Sequence, residues 1–192
     1  MIYLLRHGET EWNREGRRQG RLDSPLTSRG ILQARACAGS LRGSLGGERV
    51  SLFACSPLGR AQETARIVAD ELRDVPPVRT EPLLAEHHMG DWQGLTSPEI
   101  EERYPGSLEE RRSDLWTYGI PGGESYEDVS ARASAWLDSV ASEPVVVAVA
   151  HEMINRTVLG AYAGLDPAET LALSHPQNVV YRLSGGSFEA LR

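Results

Sequence analysis

The sequence is poor in cysteine and has no long hydrophobic run. Its two cysteines, Cys37 and Cys55, fall in a helix-like and a strand-like segment, and neither has a CxxC or metal-ligand spacing around it. We therefore expect buried free thiols rather than a disulfide framework or a cysteine metal site. No apolar stretch approaches the length needed to span a bilayer, so the sequence also predicts no membrane segment.

An excess of positive charge is absent as well. The chain carries 20 Lys plus Arg against 27 Asp plus Glu, which gives a formal net charge of −7. A protein with this charge repels polyanions, and this disfavours nucleic acid as a partner. An anionic ligand would have to be held by a local positive pocket.

The length and composition favour one folded unit. A chain of 192 residues that is 40% hydrophobic and 24% charged can bury a sizeable core, so we predict a single domain over residues 1–192. The chain starts directly in a strand-like run, with no basic leader and no cleavable apolar segment. This start predicts a cytoplasmic protein rather than a secreted one.

Strand-like and helix-like patterns alternate along the chain. Apolar runs of strand length occur at 2–5, 50–55, 145–149 and 179–183, and helical patterns cover 27–45, 58–72 and 125–140. The run VVVAV at 145–149 is apolar without alternation, which is typical of a strand covered on both faces. The alternation predicts an α/β fold with helices on both sides of a mostly parallel sheet.

Residues 86–124 do not follow this alternation. They are rich in Gly, Pro, Trp and charged residues, with short helical pieces between the loops. We interpret the segment as a lid or insertion within the domain rather than as a second domain.

Polar residues follow three of the predicted strands. Arg6 and His7 come directly after the first strand, and Arg60 comes shortly after the second. His151 follows the third. Ligands of an open α/β sheet bind beyond the carboxyl ends of its strands, so two histidines and two arginines are expected at one edge. Backbone N–H groups at loop and helix starts there also favour an anion, and the pattern predicts a phosphate pocket.

Phosphate chemistry gives each of these side-chain types a role. Displacement at phosphorus needs a nucleophile, donors for three equatorial oxygens and an acid for the leaving alkoxide. A neutral imidazole is a competent nucleophile, and arginine forks bind phosphate oxygens in pairs without giving up a proton. Because this chemistry requires neither a metal ion nor a cofactor, we predict none.

Five sequence blocks occur in order between residue 2 and about residue 160. They read LRHGETEWNREGRRQGRLDSPLTSRGILQA, SPLGRAQETA, LLAEHHMGDWQG, PGGES and VVVAVAH. Together they resemble the signature of the histidine phosphatase superfamily, also called the phosphoglycerate-mutase-like family. The resemblance implies a three-layer α/β/α sandwich with a mostly parallel central sheet and a helical lid.

The resemblance also implies roles for the residues of the pocket. His7 would be the nucleophile that becomes phosphorylated, and His151 would be the second histidine that holds the phosphoryl group. Arg6, Arg60 and Asn13 would contact the phosphate.

Further predictions concern the loops around the pocket. Glu86 would be the proton donor, because it precedes a Gly-Asp-Trp triplet as the family acid does. Gln19 and Gly20 lie in the loop that the family closes over the phosphate, although Gly20 is also explained as a plain turn glycine. His87 and His88 could donate to the substrate, but adjacent loop histidines are more often exposed, and we expect exposure.

The chain departs from the family at Glu152, since a glycine usually follows the second histidine. A carboxylate beside a bound phosphate would repel it, so we expect the side chain to turn away. Two interpretations stay open. Glu152 is an acid favourably placed at a helix N-terminus, or it faces the leaving group and shapes specificity.

Three functions are compatible with these features. A phosphatase for small phosphate monoesters is favoured, because the segment 104–122 is shorter than the insertions with which the related mutases retain their intermediate. A 2,3-bisphosphoglycerate-dependent phosphoglycerate mutase is the second hypothesis, and a non-catalytic phospholigand-binding protein is the third. The partner would be a small phosphorylated metabolite, and the resemblance also admits a homodimer.

Overall fold

The computed structural model describes residues 1–191, and these residues form a six-stranded sheet. The strands are β1 (Ile2–Arg6), β2 (Leu52–Cys55), β3 (Arg79–Thr80), β4 (Val146–Ala150), β5 (Val180–Ser184) and β6 (Ser187–Leu191). In space they follow the order β3-β2-β4-β1-β5-β6. Strands β3, β2, β4 and β1 are mutually parallel, whereas β5 runs antiparallel to β1 and β6 runs antiparallel to β5.

Eight α-helices lie in residues 1–191. They are α1 (Glu11–Glu15), α2 (Ser28–Leu45), α3 (Gly59–Leu72), α4 (Ser97–Arg103), α5 (Ser107–Ser113), α6 (Tyr126–Ser139), α7 (Glu152–Ala163) and α8 (Pro167–Ala172). Two 3₁₀ turns, Pro82–Leu84 and Gly90–Trp92, precede α4. Within this part of the chain, no helix combines the length and the apolar character that crossing a bilayer requires.

The predicted mostly parallel sheet is confirmed, and the structure adds two strands. β3 has only two residues, both exposed, and β6 has no fully buried side chain. Neither strand is apolar enough to stand out in the sequence. β6 pairs with β5 through a tight turn at Gly185 and Gly186, where both residues have positive φ.

Apolar clusters cover both faces of the sheet. Successive residues of β1 point to opposite sides, so Leu5 packs with Leu41 of α2 on one face. Leu4 packs with Trp136 of α6 and Ile154 of α7 on the other. All five residues of β4 are buried, as its apolar run predicts. The three-layer α/β/α sandwich is therefore confirmed.

The 86–124 segment contains α4, α5 and the second 3₁₀ turn. It also contributes a small apolar cluster of its own, formed by Met89, Trp92, Leu95, Ile100 and Ile120. The packing of these five side chains against one another therefore helps to fix the backbone path of the segment. Its role as a lid stays a prediction.

Both cysteines are buried free thiols, as predicted. Cys37 lies on α2 and Cys55 ends β2, and both pack in the cluster between the sheet and α2. Burial raises the pKa of the Cys37 thiol to about 11. That thiol is accordingly a core side chain and a poor nucleophile.

Candidate active site

The two pocket histidines lie side by side because β1 and β4 are neighbours in the sheet. Arg6 at the end of β1 pairs with Ala150 at the end of β4. The strands are parallel, so His7 and His151, the next residues of the chain, leave the sheet at the same edge. His7 N donates to Ala150 O at 3.0 Å. The two imidazole ring centroids are 5.0 Å apart.

A cavity of about 240 Å³ opens at this edge of the sheet. Eight of the nine predicted site residues line it: Arg6, His7, Asn13, Gln19, Gly20, Arg60, Glu86 and Glu152. The ninth, His151, is fully buried beside His7 and does not line the cavity. The fold thus brings together side chains that are separated by up to about 145 positions in the sequence.

His7 presents one ring nitrogen to the cavity side. Its Nδ1–H donates to Gly8 O at 2.7 Å, which leaves Nε2 as the nitrogen with the lone pair. Arg60 Nε lies 3.4 Å from this Nε2. Burial holds the pKa of His7 well below its usual value, and the charges of Arg60 and Arg6 lower it further. His7 is therefore neutral at pH 7, the state in which an imidazole is nucleophilic.

Arg60 is oriented by acceptors from the loop between α1 and α2. Its Nη2 donates to Gly20 O at 2.8 Å, and its Nη1 donates to Leu22 O at 2.7 Å. Nη1 also forms an ion pair with Asp23 Oδ1 at 2.6 Å. These bonds fix the guanidinium group with Nε toward His7. Asp23 was not among the predicted site residues, because its contact with Arg60 crosses 37 positions of the chain.

Arg6 shares its Nη1 group between two acceptors. One is His175 O at 3.0 Å, and the other is Glu152 Oε2 at 2.8 Å. Glu152 is the first residue of α7, and its Oε1 lies 3.4 Å from Arg156 Nη2. The expectation that Glu152 turns away from the pocket is wrong. Two guanidinium groups attract its carboxylate and hold it in the cavity wall.

His175 supports Arg6 and was also missed by the sequence analysis as a site residue. Its Nδ1 accepts from Asn155 Nδ2 at 3.0 Å, and its Nε2–H donates to Val179 O at 3.0 Å. Asn155 Nδ2 also donates to Leu5 O at 3.0 Å, next to Arg6. Burial lowers the pKa of His175 to about 3, so the ring is a neutral structural bridge.

His151 contacts a serine that the sequence reasoning passed over. Its Nε2 lies 2.7 Å from Ser56 Oγ, at the end of β2. Among residues 1–191, its buried Nδ1 has no hydrogen-bond partner. Burial holds the pKa of His151 well below its usual value, with Arg60 and His7 adding to the effect. Ser56 directly follows a predicted strand, and this position was the signal that could have identified it.

Glu86 lies between the 86–124 segment and the start of α7. Its Oε1 accepts from His87 N at 2.9 Å and from Ile154 N at 3.2 Å. The side chain is largely buried and lines the cavity with His7. Backbone N–H groups at a helix N-terminus thus hold the carboxylate on the wall of the cavity.

The three remaining predicted residues belong to the segment between β1 and α2, with Asn13 on α1 and Gln19 and Gly20 in the loop that follows it. Asn13 Oδ1 accepts from Thr10 N at 3.1 Å, and Gln19 Nε2 donates to Thr10 Oγ1 at 2.8 Å. Gly20 has φ +53, and an added Cβ would lie 2.6 Å from Gln93 Oε1. A side chain at position 20 would therefore be strained and would disturb the carbonyl group that holds Arg60.

The predicted exposure of both His87 and His88 is wrong for His87. The His87 ring is buried, with Nε2 against Glu124 O and Nδ1 3.3 Å from Met153 Sδ. His88 is half-buried. Neither ring lines the cavity, so neither would contact a phosphate that binds there. Tyr126 of α6 and Met153 of α7 contact the His87 ring, and no local pattern in the sequence revealed these contacts.

Residues 1–191 contain no group of three or more His, Cys, Asp or Glu side chains that could hold a metal ion. Four arginines line the cavity and give it positive charge: Arg6, Arg17, Arg18 and Arg60.

A family model matches the chain over residues 2–188, and its description is histidine phosphatase superfamily (branch 1). The chain belongs to this superfamily. The family predicted from the five sequence blocks is therefore confirmed.

Curated relatives with similar sequences include two phosphatases of Mycobacterium tuberculosis. A glucosyl-3-phosphoglycerate phosphatase is 39% identical over 90% of this chain and 74% of its own length. An acid phosphatase is 35% identical over 91% of this chain and 81% of its own length.

Solved structures give the same result. A mycobacterial glucosyl-3-phosphoglycerate phosphatase in complex with VO3 has a TM-score of 0.81 and 34% identity, covering 98% of this chain and 96% of that one. An α-ribazole phosphatase from Shigella flexneri has a TM-score of 0.82 and 27% identity, covering 100% and 94%. The fold and the family therefore agree with each other.

Proposed function

We propose that this protein is a metal-independent phosphatase that hydrolyses small phosphate monoesters through a phosphohistidine intermediate. The observation that carries the proposal is a neutral His7 whose Nε2 lies 3.4 Å from Arg60 Nε in a cavity also lined by Glu86. The relatives named as phosphatases support the reaction type.

In the first step, His7 Nε2 attacks phosphorus in line with the bond to the leaving oxygen. The N–P bond forms as the P–O bond breaks, and Glu86 in its acid form gives a proton to the departing alkoxide. Arg6 and Arg60 neutralise the equatorial oxygens during the transfer. The charge of these groups is fixed, because guanidinium does not lose its proton near neutral pH.

In the second step, water attacks the phosphohistidine. Glu86, now a carboxylate, takes a proton from the water as the new P–O bond forms and the N–P bond breaks. Inorganic phosphate leaves, and both His7 and Glu86 return to their starting states. The sum is hydrolysis of one monoester by one water molecule.

The decisive experiment replaces the nucleophile. His7→Ala should abolish phosphate release from p-nitrophenyl phosphate while leaving the circular-dichroism spectrum unchanged, and wild-type protein quenched during turnover should carry acid-labile phosphate. His88→Gln is the matched control, since His88 does not line the cavity. Appreciable turnover by His7→Ala would contradict the proposal.

The role of Glu86 has its own test. Glu86→Gln should slow alkyl phosphates more than p-nitrophenyl phosphate, because an activated phenolate leaves without a proton. The ratio of kcat values for the two substrates measures the effect. Equal losses on both substrates would remove Glu86 from the acid role.

We propose the histidine acid phosphatase subtype on the basis of the lowered pKa of His7. A nucleophile that stays neutral below pH 6.5 supports turnover in mildly acidic solution. A pH profile of kcat/KM should retain activity at pH 5. Assays with and without a chelator test metal independence, and a loss of activity that divalent metal restores would contradict it.

Mutase activity is the second candidate, since one relative is a probable phosphoglycerate mutase, GpmB, from Enterobacter, which is 37% identical over 84% of this chain. Phosphorus NMR of 3-phosphoglycerate with and without 2,3-bisphosphoglycerate separates the two. Free phosphate as the product supports phosphatase activity, and 2-phosphoglycerate supports mutase activity.

The cytoplasmic location and the homodimer stay predictions. Cell fractionation tests the location, and analytical ultracentrifugation tests the dimer.

A further inference from the structure

His151 is a buried pocket histidine that the two proposed reaction steps do not use. It directly follows β4, the strand that lies between β2 and β1 in the sheet. Its Nε2 lies 2.7 Å from the Oγ of Ser56, the residue that directly follows β2. Its ring centroid is 5.0 Å from that of His7, which follows β1. The His151 ring therefore connects a serine hydroxyl to the proposed nucleophile.

The partners of the Ser56 hydroxyl determine the direction of its hydrogen bond with His151. Leu58 N donates to Ser56 Oγ at 3.3 Å, so the oxygen already accepts one hydrogen bond. A serine hydroxyl has one proton to donate. Among residues 1–191, His151 Nε2 is the only acceptor that this proton has. The Ser56 hydroxyl therefore donates, and His151 Nε2 accepts with its lone pair.

This direction decides which nitrogen of the His151 ring carries the proton. Burial, with the charge of Arg60, holds the pKa of His151 well below its usual value, so the ring is neutral at pH 7. A neutral imidazole has one N–H, and with Nε2 as the acceptor that N–H is on Nδ1. In the described part of the chain, this buried Nδ1 has no hydrogen-bond partner. Buried donors are normally paired, so the Nδ1–H calls for a ligand.

A phosphoryl oxygen is the acceptor that the proposed reaction brings to this place. The phosphoryl group becomes attached to His7 Nε2, and the His151 ring lies directly beside that of His7. The positive charges of Arg60 and Arg6 act on both histidine rings. An anionic oxygen beside the two rings would be stabilised by the same charges.

We propose that Ser56 is a positioning residue: its hydroxyl holds His151 in the Nδ1–H tautomer, and this N–H donates to a phosphoryl oxygen during transfer to His7. The part that concerns the transfer rests on the proposed phosphatase function. Without the hydroxyl, the ring proton is free to move to Nε2, and Nδ1 would then present a lone pair that repels the oxygen. Ser56 thus acts on the reaction through His151 and does not itself touch the substrate.

Heteronuclear proton–nitrogen NMR of the ring nitrogens measures the tautomer directly. The chain has five histidines, and the signals of His151 are those that disappear in His151→Gln. In the wild type at pH 7, His151 should have a protonated Nδ1 and an unprotonated Nε2. In Ser56→Ala, the proton should be on Nε2 or divided between the two nitrogens. A protonated Nε2 in the wild type, or an unchanged tautomer in Ser56→Ala, overturns the proposal.

The effect on the reaction is measured by rapid-quench analysis of phosphohistidine formation from p-nitrophenyl phosphate. Ser56→Ala should slow this step at least about tenfold. A lost transition-state donor costs on the order of 100-fold in rate, and a mixture of tautomers retains part of the effect. Ser51→Ala is the matched control, because Ser51 precedes β2 and its hydroxyl donates to Val145 O, at the other end of the strand. A changed tautomer with an unchanged rate overturns the role of Ser56 in the transfer.

Inorganic phosphate separates a failure of this proposal from a failure of the phosphatase function. Adding phosphate to the wild type should move the proton signal of His151 Nδ1–H downfield, because this donor gains an acceptor. The titration requires no turnover. If no monoester releases phosphate, the phosphatase proposal fails, and the titration still decides whether His151 Nδ1 is a donor to the anion. A signal that stays unchanged up to the highest phosphate concentration overturns that role.

Discussion

Glu152 and Arg6 form an ion pair of 2.8 Å in the cavity wall. A phosphate that binds Arg6 must share or displace this carboxylate, so Glu152 opposes retention of the anion. The nucleophile His7 is already neutral, and the guanidinium group of Arg6 already has a carboxylate partner. This combination favours release of inorganic phosphate after each turnover.

Replacing Glu152 tests this competition. Glu152→Gln should lower the inhibition constant for inorganic phosphate about fivefold, since the pair is partly exposed and partly screened. Steady-state inhibition by added phosphate measures the constant. Glu127→Gln is the control, because Glu127 is an exposed acid in the first turn of α6. An inhibition constant that is unchanged or higher in Glu152→Gln would contradict the competition.

At the scale of elements, α2 packs directly on the loop that carries the nucleophile. Gly30 lies in the first turn of α2, and a Cβ added there would be 2.2 Å from Glu9 O. A Cβ on Gly8 would likewise be 2.3 Å from Gly30 O. The backbones of helix and loop touch, so this contact sets the direction in which the chain leaves His7.

Two glycines on α2 provide a matched pair of substitutions. Gly30→Ala should lower the free energy of unfolding by roughly 1–3 kcal/mol through overpacking, and it should lower kcat/KM because the loop shifts. Gly39→Ala has open space around the added Cβ, so it should be neutral or stabilise by about 0.5–1 kcal/mol. Urea denaturation and phosphate release measure both effects. Equal behaviour of the two variants would contradict the contact.

At the scale of the whole molecule, buried neutral histidines make stability depend on pH. The pKa values of His7, His151 and His175 are all lowered, chiefly by burial. Below pH 6.5 the unfolded chain binds protons that the folded protein does not, so stability falls on acidification. For His175 this loss continues until its folded pKa of about 3 is reached.

The measurement is the free energy of unfolding at pH 7 and pH 5. It should be lower at pH 5, with a slope of up to about 1.4 kcal/mol per pH unit for each buried histidine. His175→Gln should reduce that slope by the contribution of one buried histidine. Stability that is flat or rises between pH 7 and pH 5 would contradict the neutral state of these rings.

The sequence by itself determined the features that are local along the chain. Apolar runs fixed four of the six strands, and α2, α3 and α6 begin and end within one residue of their predicted bounds. The residues directly after strands supplied the pocket, because parallel strands deliver their carboxyl ends to one edge. β3 and β6 were missed because each is short or exposed.

Only the tertiary structure decided contacts between distant segments. The position of β4 between β2 and β1 and the antiparallel direction of β5 depend on how helices pack across the sheet. The same holds for Glu152 on Arg6 and for Asp23 on Arg60. Periodicity and spacing describe neighbours along the chain, whereas these contacts arise from charge and shape after folding brings remote residues together.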